Sequence, residues 1–347
     1  MGNFKKETIH NMPLVNDPAI GNMNWKSKFG GGKIAFFSQM GFRGKIPRNH
    51  PNMRTEFAQM CALDAVHYNL FDIMNVQEHY DHVVLLIPKT PQDRDRLYSI
   101  ALIKHAKRFS DNVWFMQEGP NWIFQDMPIH HQFWHYNLLM DVDGILTENE
   151  TDIDYFKGLV GSDKPIHDIP SLMITDDLVP RNEWGDAVIM GGNFVRWYGG
   201  FDSYVIARIF QPEHSIHCVS MGRKQKREDE IDDIKYLPYM EWKEWINTLS
   251  QFDIGVHLMP TIAAGTFAMN CGFHGIPCIG YDDADTQRKI HPKLSVKMGD
   301  INRARKLAIS LKNDPLFKKD CMEESRENWE NLFIEEKFCK KMSKVLS

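Results

Sequence analysis

Strand-like and helix-like runs alternate along almost the whole chain, and no other feature limits its fold as much. Apolar runs of about four to eight residues, bounded by Gly, Pro, Asn or Asp, read as buried strands. The amphipathic stretches between them read as helices that cover a parallel sheet. In the first half the strand candidates are Lys33–Gln39, a run centred on Tyr68–Ile73, His82–Pro88, Asn112–Gln117 and Asp143–Glu148. Helical periodicity marks Met53–Leu63, Gln92–Arg108 and Ile129–Leu139. The second half repeats the alternation with DAVIMGG, SIHCVSMG, IKYLPYM, DIGVHLM, GIPCIGY and LSVKMG. Its helices are expected at Gly200–Ile209, Glu241–Leu249, Gly265–Gly272 and Ile301–Lys312, with two more in the tail, Asp314–Val345.

The run Ile169–Asp186 is polar and punctuated by proline, as a linker would be. The pattern therefore divides into a loosely ordered lead-in (1–32), a Rossmann-like domain (33–170), a linker (171–186), a second Rossmann-like domain (187–330) and a C-terminal helix (331–347). Two doubly wound halves place a cleft at the carboxyl ends of two parallel sheets, where ligands of such sheets bind. The competing reading is one large α/β domain with an irregular sheet. The chain carries no internal repeat and no low-complexity tract.

Composition narrows the function classes. With 347 residues, 43% of them hydrophobic, the chain can bury a large core. A formal net charge of -5 gives the whole molecule no attraction to nucleic acid or an acidic membrane, so any polyanion must be held by a local patch. The six cysteines lack CxxC spacing and lie in apolar runs, as reduced core thiols of a cytoplasmic protein do. No apolar run reaches the length of a membrane span, and the N-terminus lacks a signal core, so neither membrane insertion nor secretion is expected. The fifteen histidines include one HxxxH pair, His131 and His135, and no HExxH, and no metal site is expected. Asp141-Val142-Asp143 matches a short metal-binding tripeptide, but Gly144 makes it read as a turn. GFRGK is too short for a phosphate-binding P-loop, and Ile46 stands where Ser or Thr would hold magnesium. KQKREDEIDD is balanced in charge and reads as a solvated loop.

In the second half, a strand ending in HLMP leads to Gly265-Thr266-Phe267, and Asn270-Cys271-Gly272-Phe273-His274-Gly275-Ile276-Pro277 runs into an apolar strand. This order resembles the nucleotide-sugar-binding domain of glycosyltransferases with the GT-B fold, an α/β architecture of two Rossmann-like domains facing a cleft. The resemblance implies a UDP-sugar donor, with no tightly bound cofactor and Mg at most stimulatory. It places Asn270 where a carboxylate usually holds the ribose, and Ile262 where a second carboxylate usually stands. It sets Leu237 and Tyr239 beside the base. A helix start at Gly265, Thr266 and Phe267 offers free N–H groups and a positive dipole end to a diphosphate. Arg196, and Arg223 or Lys224, follow strands whose carboxyl ends face the same ligand, and they would neutralise the leaving group. Each taken alone is equally a solvated surface charge.

Within that group, VWFMQEGPNWIF and VIMGGNFVR resemble segments of the DNA glucosyltransferases of T-even bacteriophages, which sugar 5-hydroxymethylcytosine. The likeness, one of order and spacing from Lys33 onward, implies double-stranded DNA with a modified cytosine as acceptor. It places Glu118 at the catalytic base. Following an apolar strand, Glu118 would be partly desolvated, with the raised pKa that base work needs; the simpler reading is a turn before Gly119-Pro120. The loop MGFRGKIPRNHPNMR carries Arg43, Lys45, Arg48, His50 and Arg54 without an acidic residue, and would grip phosphates of a nucleic acid. Trp122, Phe124 and Trp134 would stack on a flipped base or else belong to the core. Two further readings stand beside this one: transfer to a cell-surface glycan or lipid, and a catalytically inactive nucleotide- or DNA-binding module of the same fold. The glycan or lipid reading calls for an apolar and basic face in the first domain.

Overall fold

The computed structural model describes residues 27–40, 43–87, 103–117, 119–219 and 227–347. They form two compact units. Up to His50, and over Glu56–Pro170 and Phe338–Ser347, the chain belongs to the first; Pro51–Thr55 and Ser171–Lys337 belong to the second.

The first unit runs β1 (Ile34–Ser38), α1 (Thr55–Ala62), β2 (Val66–Asn69), β3 (Tyr80–Ile87), β4 (Ser110–Gln117), α2 (Ile129–Asp141), β5 (Gly144–Thr147), α3 (Thr151–Val160) and β6 (Ile166–Asp168). Its six strands lie in the order β2-β1-β3-β4-β5-β6, every pair parallel. Strand residues alternate between the two faces. Ala35, Phe37, Val83, Leu85, Val113 and Phe115 enter one core cluster, while Ile34, Phe36, Val84, Leu86, Trp114 and Met116 are buried on the other face. A sheet buried on both faces reads as a continuous apolar run, which is why these strands are plain in the sequence.

The second unit runs β7 (Ala187–Met190), α4 (Gly200–Ala207), β8 (Ser215–Val219), β9 (Ile234–Leu237), α5 (Trp242–Leu249), β10 (Phe252–His257), α6 (Thr266–His274), β11 (Cys278–Tyr281), α7 (Asp285–Ile290), β12 (Ser295–Val296), α8 (Ile301–Asn313) and α9 (Pro315–Leu332). A last helix, α10 (Glu335–Val345), follows, and from Phe338 onward it belongs to the first unit. There the Cys339 thiol donates to the Ala62 carbonyl at 3.6 Å, and Lys341 pairs with Asp168. The sheet order is β12-β11-β10-β7-β8-β9, again all parallel. Val188, Met190, Ile254 and Val256 face a core shared with α4 and α8; Ala187, Ile189 and Phe252 face one shared with α5 and α6. All six cysteines are free and buried.

Some elements differ from expectation. The run centred on Tyr68–Ile73 stops being a strand at Asn69, whose side chain accepts from Phe71 N–H at 2.9 Å and starts a 3-10 turn over Leu70–Asn75. The helix expected over Gln92–Arg108 lies largely outside the described residues. The stretch expected as a linker is anchored to the second unit. Leu172, Met173 and Ile174 are buried, Ser171 donates to the Ala264 carbonyl, and Trp242 Nε1 donates to the Ile174 carbonyl at 3.2 Å. Arg181 donates to the carbonyls of His274 (3.0 Å), Gly275 (3.2 Å) and Phe252.

Candidate nucleotide-sugar site at the second sheet

The order of the second sheet creates a crevice. From β7 the chain crosses to β8 and then β9 on one side, whereas β10, β11 and β12 lie on the other. The loops leaving the carboxyl ends of β7 and β10 therefore diverge, and a switch point of this kind is where open parallel sheets bind ligands. The first of these loops begins Gly191-Gly192-Asn193; the second runs from Leu258 to Gly265.

Both loops are held close to the sheet. Gly191 N–H donates to the Val256 carbonyl at 3.0 Å, and a Cβ placed on Gly191 would lie 2.6 Å from His257 Cγ and 2.8 Å from the Phe267 ring. The turn Arg196–Tyr198 ends at Gly199, whose φ of +65° and 1.8 Å clearance to the Leu258 carbonyl admit only glycine. Asn193 is fully buried and its Oδ1 accepts from Val195 N–H at 3.3 Å. Glu228, 3% exposed, accepts from Phe194 N–H at 3.2 Å and from the Tyr236 hydroxyl at 3.1 Å, so a buried carboxylate braces the turn after β7.

Helix α6 begins at Gly265, with φ +66° and a Cβ position 1.9 Å from Thr286 Oγ1. Thr286 donates its hydroxyl to the Gly265 carbonyl at 2.9 Å, and the Thr266 and Thr55 hydroxyls lie 2.9 Å apart. No side chain caps the helix, so its first N–H groups are left for another acceptor. A cavity beside this helix start is lined by His257, Met259, Thr261, Ile262, Tyr281 and Thr286, among others. His257 stands edge-on to Phe267 at 5.1 Å, and its Nε2 is shielded without a hydrogen-bond partner among the described residues. Burial pushes this histidine down to about 4, so the imidazole is neutral at pH 7.

The sites expected from the sequence fall into three groups. Gly265 and the backbone of Thr266 and Phe267 stand at the crevice; the Phe267 ring is core, 6.5 Å from that of Trp245. Arg196 is exposed on the turn after β7, makes no ion pair among the described residues, and is free to meet an anion. Leu237 ends β9 half-buried, and Tyr239 beyond it is 68% exposed. Glu118, Arg223 and Lys224 lie outside the described residues.

Asn270 departs from the expected ribose contact. It is 3% exposed; its carbonyl accepts from Trp245 Nε1 at 2.9 Å and its amide donates to the Thr266 carbonyl at 3.2 Å. Both polar ends are used inside the protein, so this side chain fastens α6 to α5.

The basic loop of the first half also differs from expectation. Lys45 is paired with Asp64 at 2.6 Å, an acid from outside the loop. Arg48 is 8% and His50 4% exposed, the latter edge-on to Phe57 at 5.0 Å. Arg43 is exposed and lies 4.9 Å over the Tyr68 ring, and Arg54 is half-buried in the segment that joins the second unit. These cations do not form the exposed stripe that phosphate gripping needs. Trp122 is 37% exposed, whereas Phe124 and Trp134 are core, with Phe124 stacked on His135 at 3.9 Å.

Two residues important to the crevice were not singled out from the sequence. Glu228 sits in a charge cluster that reads as solvated, and nothing in the run marks one carboxylate for burial. His257 carries a readable signal, a polar residue ending an otherwise apolar strand.

No family model matches the chain, and no curated protein matches it in sequence. Solved structures do. The chain is similar to the sucrose-phosphate synthase of Thermosynechococcus elongatus at TM-score 0.65 and 13% identity, over 90% of this chain and 98% of that one. It is similar to Anabaena HepE in complex with UDP-glucose at TM-score 0.66 and 9% identity, over 91% and 99%. Staphylococcus aureus TarM, solved with UDP, matches at TM-score 0.59 and 8% identity over 76% of this chain, which spans 55% of the TarM chain. With its two parallel six-stranded sheets the chain has the two-domain α/β fold of the GT-B class. No helix among the described residues is long and apolar enough to cross a membrane.

Proposed function

We propose that this chain is a glycosyltransferase that takes a sugar from a UDP-sugar. The observation that carries the reading is the crevice at the β7/β10 switch point, where a glycine-lined turn packs against an uncapped helix start and the same turn carries the exposed Arg196. A diphosphate accepts from the first N–H groups of α6 and gains from the positive end of its dipole, and Arg196 adds a full charge. The same groups stabilise the charge that builds on UDP as the bond to the sugar breaks. Arg223 or Lys224 is the second cation of this site. The backbone beside Leu237 and Tyr239 receives the base, and the ribose is held by groups other than Asn270.

For the acceptor we propose a hydroxymethylated cytosine of phage DNA, with glucose or arabinose as the sugar. The support is the order and spacing of VWFMQEGPNWIF and VIMGGNFVR. Glu118, the residue after β4, takes the proton from the acceptor hydroxyl as its oxygen attacks the anomeric carbon and UDP leaves. Arg48 and His50 are buried and Lys45 is paired with Asp64, leaving Arg43, Arg54 and Trp122 as the acceptor-side candidates. Mg enters as a stimulant of UDP departure, and its effect is read by adding EDTA. A glycan or lipid acceptor is the alternative. It calls for an apolar and basic face in the first unit; α2 offers an apolar face, with Lys107 and Lys164 bonded to the carbonyls of Asp141 and Met140 at its C-terminal end.

Calorimetric titration with UDP tests the donor reading. The wild type binds, Arg196→Ala binds about tenfold more weakly, and Gly191→Val, whose side chain fills the turn, does not bind. A wild type that ignores UDP refutes the reading.

A further inference from the structure

A narrow polar cavity lies beside the start of α6, on its β11 side. It holds about 20 Å³, room for one water-sized group and no more. Adjacent strand ends supply its walls: His257 closes β10, Thr261 and Ile262 follow in the next loop, and Tyr281, Asp283 and Thr286 stand at or just beyond the end of β11. β10 and β11 pair in parallel with His257 opposite Gly280, and the cavity forms where their carboxyl ends meet Gly265.

The chemistry of the lining selects its occupant. Several polar groups already serve the fold: the Tyr281 hydroxyl donates to Asp202 at 3.0 Å, the Thr286 hydroxyl to the Gly265 carbonyl at 2.9 Å, and Gln287 Nε2 to the Cys278 carbonyl at 2.8 Å. Asp283 supplies the carboxylate of the lining, half-buried. Burial, with the charge of Asp282 beside it, raises its pKa against the opposing pull of its own backbone N–H and of Arg288. A partly desolvated carboxylate accepts hydrogen bonds and donates none, so it gains from a group that brings a donor. His257, on the neighbouring strand end, is neutral at pH 7, and its Nε2 has no hydrogen-bond partner among the described residues. A neutral imidazole offers one donor and one acceptor. A hydroxyl, which also donates and accepts, suits such a lining and is small enough to enter; a sugar ring stays outside.

The sheet order says whose hydroxyl it is. With the diphosphate at the β7/β10 switch point and the base beside Leu237 and Tyr239, the nucleoside lies across β7, β8 and β9. β11 is on the other side of the switch point, so the cavity sits beyond the diphosphate from the base, where the sugar is attached. We propose that this cavity takes a hydroxyl of the transferred sugar, which donates to Asp283 and makes that carboxylate a determinant of which UDP-sugar is bound. The inference rests on the donor reading and adds to it the group that reads the sugar.

Calorimetric titration of the full chain with UDP, UDP-glucose and UDP-arabinose tests this, for the wild type and for Asp283→Ala. The variant binds UDP as the wild type does, and binds the UDP-sugar that the wild type holds more tightly about tenfold more weakly, the loss of one hydrogen bond to a charged acceptor. Asp283→Asn, which keeps an acceptor oxygen in place, recovers part of that loss. Affinities for both UDP-sugars that are equal in the wild type and Asp283→Ala overturn the inference, and the cavity then holds a water. An equal loss for UDP and the UDP-sugars overturns it too, because the hydroxyl is then the ribose's or the side chain serves the fold. Neither result touches the donor reading, which fails where the wild type ignores UDP.

Discussion

Mild acid should destabilise the second unit, and His274 shows how far. Its ring is 3% exposed at the end of α6. The Nε2 faces the Ile246 carbonyl at 2.8 Å and so carries the proton, while Nδ1 accepts from Arg181 N–H at 3.1 Å. The neutral ring is thus fully satisfied, and a second proton would point one N–H at another. Burial, with the nearby charges of Arg181 and Arg326, brings the folded pKa down to about 4, against the Ile246 hydrogen bond that favours the charged form. An unfolded histidine titrates near 6.5, so between about pH 6.5 and 4 the unfolded chain holds a proton that the folded one refuses. Stability is therefore complete above the unfolded value and falls with acidification through that window. The full shift corresponds to about 3 kcal/mol, of which about 2 kcal/mol is lost by pH 5. Urea unfolding at pH 7.5 and pH 5.0, for the wild type and for His274→Gln, measures it. The variant loses about 2 kcal/mol less than the wild type between the two pH values, whatever its own stability. Equal losses in both proteins would refute the assignment of a neutral, buried His274.

Other substitutions separate structure from chemistry. Arg181→Ala strands three carbonyl groups around the end of α6 and costs about 3 to 5 kcal/mol in urea unfolding; Arg181→Lys recovers only part, because an ammonium cannot reach all three. Gly265→Val forces a branched side chain into φ +66° against Thr286, costing about 1 to 3 kcal/mol of stability, and weakens UDP binding at least tenfold in calorimetry. Glu118→Gln abolishes transfer while UDP binds as before; equal turnover would remove Glu118 from the mechanism.

The sheets were legible because both are parallel and buried on both faces, so β1, β3, β4, β7, β10 and β11 stand out as apolar runs. Short or polar elements were not. β6 has three residues, and α3 begins in the acidic run TENETDID that resembles a loop. At the candidate site, Gly265 was readable because a glycine before a helix at a strand end has a mechanical meaning. Asn270 misled because its type suits a ribose, whereas its partner, Trp245, lies 25 positions away and enters only through packing. The basic loop misled in the same way. Charge is visible in sequence, but the Asp64 that pairs with Lys45 and the burial of Arg48 and His50 depend on the tertiary fold.

The central claim is transfer from a UDP-sugar, and the most direct measurement weighs the product. DNA containing 5-hydroxymethylcytosine and unmodified DNA are each incubated with the protein and UDP-glucose or UDP-arabinose, then digested to nucleosides for mass spectrometry. The account predicts a hexosyl or pentosyl group on the hydroxymethylated nucleoside alone, formed with release of UDP. A protein that fails to bind UDP and yields neither free UDP nor a heavier nucleoside would contradict it.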